Sequence, residues 1–138
     1  QTNELLNLLR IFELETKTQL TNLKILDAGS GSGHRITNVA KHFKKCDFLG
    51  IDISDTSLKI AKSIKEKNNI ENIEFKKFNL MDSTLKLGKF DIILCMGVLH
   101  HLSNPQKGLE NICSTTNFEK KKSRKLQSFY PKPSFQNY

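Results

Sequence analysis

The 138 residues read as one α/β domain built on a doubly wound parallel sheet. Three observations predict this. Apolar runs of strand length alternate with stretches of helical periodicity, a glycine-rich loop follows directly on the first strand, and the fourth strand is apolar on both faces, as in sheets covered by helices on two sides. The length leaves room for one core, and 37% hydrophobic with 26% charged residues is a globular balance rather than a disordered or fibrous one. The longest apolar run, Ile92 to Leu99, falls far short of the ~18 to 20 residues that a membrane-spanning helix needs, so no membrane partner is expected.

Leu5, Leu6, Leu8, Leu9 and Phe12 recur at helical spacing and predict an amphipathic helix from about Glu4 to Glu15, within an N-terminal covering segment 1–22. From Leu23 the period changes. Leu23, Ile25, Leu26 and Ala28 form a short strand that ends at Gly29-Ser30-Gly31-Ser32-Gly33. Ile36, Val39, Ala40 and Phe43 then mark the inner stripe of a helix. Phe48-Leu49-Gly50-Ile51 is a second strand, closed by Asp52. Ser54 or Asp55 can cap the next helix, whose inner face carries Leu58, Ala61 and Ile64 and which ends at Asn68-Asn69. Ile73 and Phe75 alternate with Glu74 and Lys76 in a third strand, and Phe90, Ile92, Ile93, Leu94 and Met96 form the fourth, expected at the centre of its sheet. Asn104-Pro105 supplies a cap and a first helical position, with Leu109 and Ile112 continuing a helix inward.

After Cys113 the pattern stops. Lys120, Lys121, Lys122, Arg124, Lys125 and Lys132 stand against Glu119 alone, with Pro131 and Pro133 among them, so 115–138 is expected to be a basic tail, disordered or non-native. Much of the net charge of +8 sits there, and such a strip is either a solvated end or a contact for RNA or another acidic surface. Cys46, Cys95 and Cys113 have neither zinc-type nor redox-pair spacing and read as buried thiols; no metal is assigned. Without a secretory signal or a glycosylation sequon, the expected location is cytoplasmic.

In a parallel sheet the ligand crevice lies beyond the carboxyl ends of the strands, where the glycine loop, Asp52, Asn79 and His100 all fall. Glycines at alternate positions let a ligand approach the main chain with no side chain between. His34 stands where a dinucleotide fingerprint needs its third glycine, and Gly33-His34-Arg35 does not close a triphosphate loop. An acidic residue at the tip of the second strand can accept hydrogen bonds from both hydroxyls of a ribose, and Asp52 fits that role unless it caps the next helix instead.

Leu26-Asp27-Ala28-Gly29-Ser30-Gly31-Ser32-Gly33, then Gly50-Ile51-Asp52-Ile53-Ser54, then Phe90-Asp91-Ile92-Ile93 leading into Gly97-Val98-Leu99-His100-His101-Leu102, resemble the class I S-adenosylmethionine-dependent methyltransferases of the small-domain type, with VLHHL after the fourth strand. The resemblance covers about residues 23–113 and implies a Rossmann-like sheet of which about four strands are present. The C-terminal strands that complete it in relatives are missing, so residues 23–114 would be a partial S-adenosylmethionine-binding domain, truncated or changed in reading frame near residue 114. By position, the resemblance implies that Asp27 and Gly29 hold the methionine end of the cofactor, that Gly31 and Gly33 give it close passage, that Asp52 holds the ribose and that Ile53 lies on an adenine face. Asn79 and Asp82 are alternatives for the adenine amino group, and Leu80 between them is a further cofactor-binding position.

Such a cofactor carries an activated methyl group, so the protein has mainly to orient an acceptor for in-line attack. His100 or His101 can serve as a base at the end of the fourth strand, or the two can shape the pocket without transferring protons. No Asn-Pro-Pro-Tyr-like base-methylation motif follows that strand, which leans towards a small-molecule acceptor and leaves RNA and protein open. Two other functions remain open: a non-catalytic cofactor-binding or interaction module, and an RNA-associated protein acting through the basic tail.

Overall fold

Helix α1 (Thr2–Thr16) precedes strand β1 (Lys24–Ala28), α2 (His34–His42), β2 (Asp47–Asp52), α3 (Asp55–Lys67), β3 (Ile73–Lys77), β4 (Ile92–Leu94), a 3-10 turn (Leu99–His101) and α4 (Pro105–Cys113). This is a computed structural model, and it describes residues 2–17, 19–82 and 86–117. The four strands are parallel and lie in the order β3-β2-β1-β4. The chain order reverses beside β1, which pairs with β2 from Lys24↔Asp47 to Ala28↔Ile51 and with β4 from Ile25↔Ile92 to Asp27↔Leu94.

Strand alternation sorts the core into two layers. Ile25 and Phe48 join Leu5, Leu9, Ile36 and Val39 on the face covered by α1, α2 and α3. Leu26, Ala28, Leu49 and Ile51 pack with Ile112 of α4 on the other. The helix starts follow their capping chemistry. Ser54 Oγ accepts from Ser57 N at 3.2 Å, leaving Asp55 to pair with Lys77, and Asn104 Oδ1 accepts from Lys107 N at 3.0 Å ahead of Pro105.

Several expectations are corrected. On α1 only Leu5, Leu6 and Leu9 are buried; Leu8 and Phe12 lie at the margin of the stripe, partly in solvent. On α4 the inward positions are Gly108, Asn111 and Ile112, while Leu109 is exposed, because the helix rotates to set Gly108 against the side chain of Leu102. Strand β4 is short and half-buried and lies at the edge of the described sheet, not at its centre. Its outer side is nevertheless met at one point: Phe90 bridges Thr116 in parallel, with Phe90 N donating to Thr115 O at 2.8 Å and Asn117 N to Phe90 O at 2.9 Å. Thr115 to Asn117 therefore lie against the sheet, with Thr115 fully buried, although the expected tail begins at 115. The rest of that tail, 118–138 with all its lysines and its arginine, lies outside the described residues. Of the three thiols only Cys46 is in the core, where its Sγ donates to Leu20 O at 3.1 Å; Cys95 is half-buried and Cys113 exposed. Among the described residues no helix is long and apolar enough to cross a membrane.

Candidate functional site

The loop after β1 begins by leaning on β2. Gly29 N and Ser30 N both donate to Ile51 O, at 2.8 and 2.9 Å, and Gly33 N closes a turn on Ser30 O at 3.0 Å. At its apex Gly31 N donates to Asp52 Oδ2 at 2.9 Å. Asp52 Oδ1 accepts from Ser54 N at 2.9 Å and Asp52 O from Phe78 N at 2.9 Å, so this residue joins the glycine loop, the start of α3 and the end of β3. Each carboxylate oxygen keeps a lone pair beyond those bonds, and the residue is only half-buried.

The three loop glycines serve different ends. A Cβ on Gly29 would run into the side chain of Val98, and one on Gly33 would stand 2.7 Å from Ala61 Cβ and 2.8 Å from Phe75 Cζ. Those two are packing requirements, so the close passage expected over Gly33 is filled by protein. Gly31, at φ +55°, would meet nothing within 4 Å. Open space beside a main chain already tied to a carboxylate is what an elongated ligand needs.

Asp27, at the end of β1, is fully buried, and Arg35 on the first turn of α2 reaches it, Nη2 lying 3.2 Å from Oδ1 and 3.5 Å from Oδ2. Burial pushes the Asp27 carboxyl above its ordinary value; the Arg35 charge and hydrogen bond pull it down, and the negative charge of Asp52 adds a further rise. Arg35 escaped the sequence reading. Its only signal is a cation eight positions after an acid, a separation that means nothing until α2 folds back over β1. Arg35 Nε and Ser30 Oγ are buried without partners.

Beyond Asp52, Ile53 is exposed at 60%, an apolar side chain left uncovered at the rim. Asn79 Oδ1 accepts from Met81 N at 3.0 Å and Asp82 is exposed, so both acid and amide remain available at the tip of β3. Leu80 is different: its side chain is buried in the layer under α4 and its carbonyl accepts from Asn111 Nδ2 at 2.8 Å, which turns both away from the rim. His100 and His101 stand exposed on the 3-10 turn with ring centroids 3.9 Å apart, and the turn starts at Val98, whose side chain lies on Gly29. The loop, both aspartates, Ile53 and the histidine turn thus gather at the carboxyl ends of β1, β2 and β4.

A profile of the methyltransferase-domain family matches residues 20–123. A ubiquinone biosynthesis O-methyltransferase of Coxiella burnetii is 31% identical over 107 residues, which cover 78% of this chain and 44% of that protein. A protein-lysine N-methyltransferase of Saccharomyces cerevisiae is 32% identical over 83 residues, 59% of this chain and 36% of the relative. The solved structure of PKMT2 from Rickettsia typhi in complex with AdoHcy matches with a TM-score of 0.65 and 34% identity over 70% of this chain and 19% of that one. The chain spans less than half the length of each of these relatives.

Proposed function

The chain belongs to the methyltransferase-domain family, and from that membership we propose that it binds S-adenosylmethionine across the glycine loop and serves transfer of the sulfonium methyl group to an acceptor hydroxyl or amine. The observation that carries this reading is the hydrogen bond from Gly31 N to Asp52 beside a space that no side chain fills. The AdoHcy complex of the Rickettsia typhi relative supports the same cofactor class.

When bound, the cofactor supplies an electrophilic methyl group, and this chain's residues bind and orient. Asp52 accepts from the ribose hydroxyls while its loop and helix bonds fix its carboxylate. Ile53 covers one adenine face with apolar surface that is otherwise wet, and Asn79 or Asp82 accepts from the adenine amino group. Asp27 faces the ammonium of the methionine end. His100 or His101 takes the acceptor's proton, since both are exposed on a turn seated on Gly29 through Val98.

A small-molecule acceptor is the reading favoured by the Coxiella burnetii relative and by the absence of a base-methylation motif after β4. A protein lysine is the second, favoured by the Saccharomyces cerevisiae relative. A cytoplasmic location goes with either. Isothermal titration of the chain with AdoHcy tests the site: micromolar binding is expected, and it should be lost in Gly31→Leu and in Asp52→Ala. Binding that survives both substitutions unchanged overturns the assignment.

A further inference from the structure

Strand β3 ends the described sheet, and its outer side pairs with nothing among the described residues. The ladder on its inner side fixes which groups are left open. Phe48 N donates to Asn72 O and Phe78 N to Asp52 O, both at 2.9 Å. The even-numbered residues of this segment therefore serve β2, and Ile73, Phe75 and Lys77 turn their N–H and C=O groups outward. Between this edge and α3 runs an open groove of about 660 Å³, based on Leu58 and Phe75 and flanked by Lys59 and Lys62 of the helix and Lys76 and Lys77 of the strand. Among the described residues Asp55 is the one acid in its lining, and it pairs with Lys77, while Glu74 pairs with Lys76 at 3.3 Å. Lys59 and Lys62 make no ion pair among the described residues.

We infer that the β3 edge is a docking surface for an extended acidic segment of a partner protein, which adds a strand to the sheet and sets its carboxylates against Lys59 and Lys62. Such a peptide meets both unmet needs of this surface. Its main chain continues the ladder at Ile73, Phe75 and Lys77, and its alternate side chains all point to one face, the one that α3 borders. The same lysines disfavour other occupants. Two copies of this chain joined edge to edge would bring ammonium against ammonium. A single-stranded nucleic acid would match the charge but find no stacking platform, because Phe75 is buried and the described lining holds no other aromatic ring and no arginine. The inference stands apart from the cofactor reading, in which no residue of this groove has a role.

The test is fluorescence anisotropy of the full chain with three labelled probes: a peptide alternating glutamate and valine, a peptide of the same charge alternating glutamate and proline, and oligouridylate. The prolines remove every second N–H and favour a polyproline helix over a strand. Wild type should bind the valine peptide about tenfold or more tightly than the proline peptide, and Lys59→Glu/Lys62→Glu should weaken that binding by about tenfold. Lys41→Glu/Lys44→Glu, around the end of α2, changes the net charge equally and should leave it within about twofold. All four lysines are exposed, so both variants should fold, as circular dichroism would show. Equal binding of the two peptides overturns strand pairing, and equal losses in the two variants overturn the groove as the site. Oligouridylate that loses more affinity than the valine peptide in Lys59→Glu/Lys62→Glu replaces the protein partner with a nucleic acid. Folded wild type that leaves the valine peptide unbound overturns the whole inference.

Discussion

The backbone N–H of Gly31 donates to Oδ2 of Asp52 across 2.9 Å, linking the apex of the loop after β1 to the tip of β2. One carboxylate thus fixes the loop beside the open space at Gly31 and, in the role proposed for it, offers its remaining lone pairs to the cofactor. Asp52→Ala removes the acceptor of both Gly31 N and Ser54 N, so loss of AdoHcy affinity should come with a stability loss of about 1–3 kcal/mol, measured by urea unfolding. Asp52→Asn keeps a single carbonyl oxygen, which can replace one of the two lost acceptors, and should fall between.

The loop glycines should separate binding from stability. Gly33→Ala forces a methyl group to 2.7 Å from Ala61 and 2.8 Å from Phe75, and should destabilise the fold by about 2–4 kcal/mol. Gly31→Ala meets no atom and bears only the left-handed backbone cost of about 1–2 kcal/mol, yet its methyl group would stand in the path proposed for the cofactor. Circular dichroism should find Gly31→Ala folded, and calorimetry should find its AdoHcy affinity reduced. The reverse ranking of the two variants in stability would contradict these packing roles.

Burial raises the Asp27 carboxyl above its ordinary 3.8. Between that value and the raised one, the folded chain holds a proton that the unfolded chain has released, so the contribution of Asp27 to stability falls as pH rises through this window. Ammonium binding runs the other way, because only the ionised carboxylate attracts a cation. AdoHcy affinity should therefore fall on acidification, at a pH above the ordinary aspartate range, and Asp27→Asn should be weak and flat across it. A wild-type profile flat down to the ordinary range would show that Asp27 does not hold the ammonium.

The thiol of Cys95 is pushed up to about 11, chiefly by burial, with the charge of Asp27 adding and that of Arg35 opposing. Near pH 8 only about a thousandth of it is thiolate, the form that reacts with alkylating agents. Iodoacetamide followed by peptide mass spectrometry should find the exposed Cys113 modified well before Cys95. Equal labelling of the two in the folded chain would contradict the burial of Cys95.

Local chemistry made much of this chain legible in its sequence. The strand and helix periods and the caps at Ser54 and Asn104 are each decided within a few neighbouring residues, by side-chain spacing or by a single hydrogen bond, and the glycine loop and the acid at the tip of β2 are visible as short residue patterns. Tertiary packing decided the rest. Sequence spacing does not say which of three glycines faces open space, because the answer depends on where Val98, Ala61 and Phe75 arrive from other elements. Nor does it say that Leu80 turns inward, that Leu109 turns outward, or that β4 lies at the sheet's described edge, since each follows from how helices rotate against a sheet only the folded chain possesses. The Asp27–Arg35 pair is the plainest case: both residues are readable in the sequence, but one lies on a strand and the other on a helix, and their charges meet only after α2 packs over β1 and removes Asp27 from water.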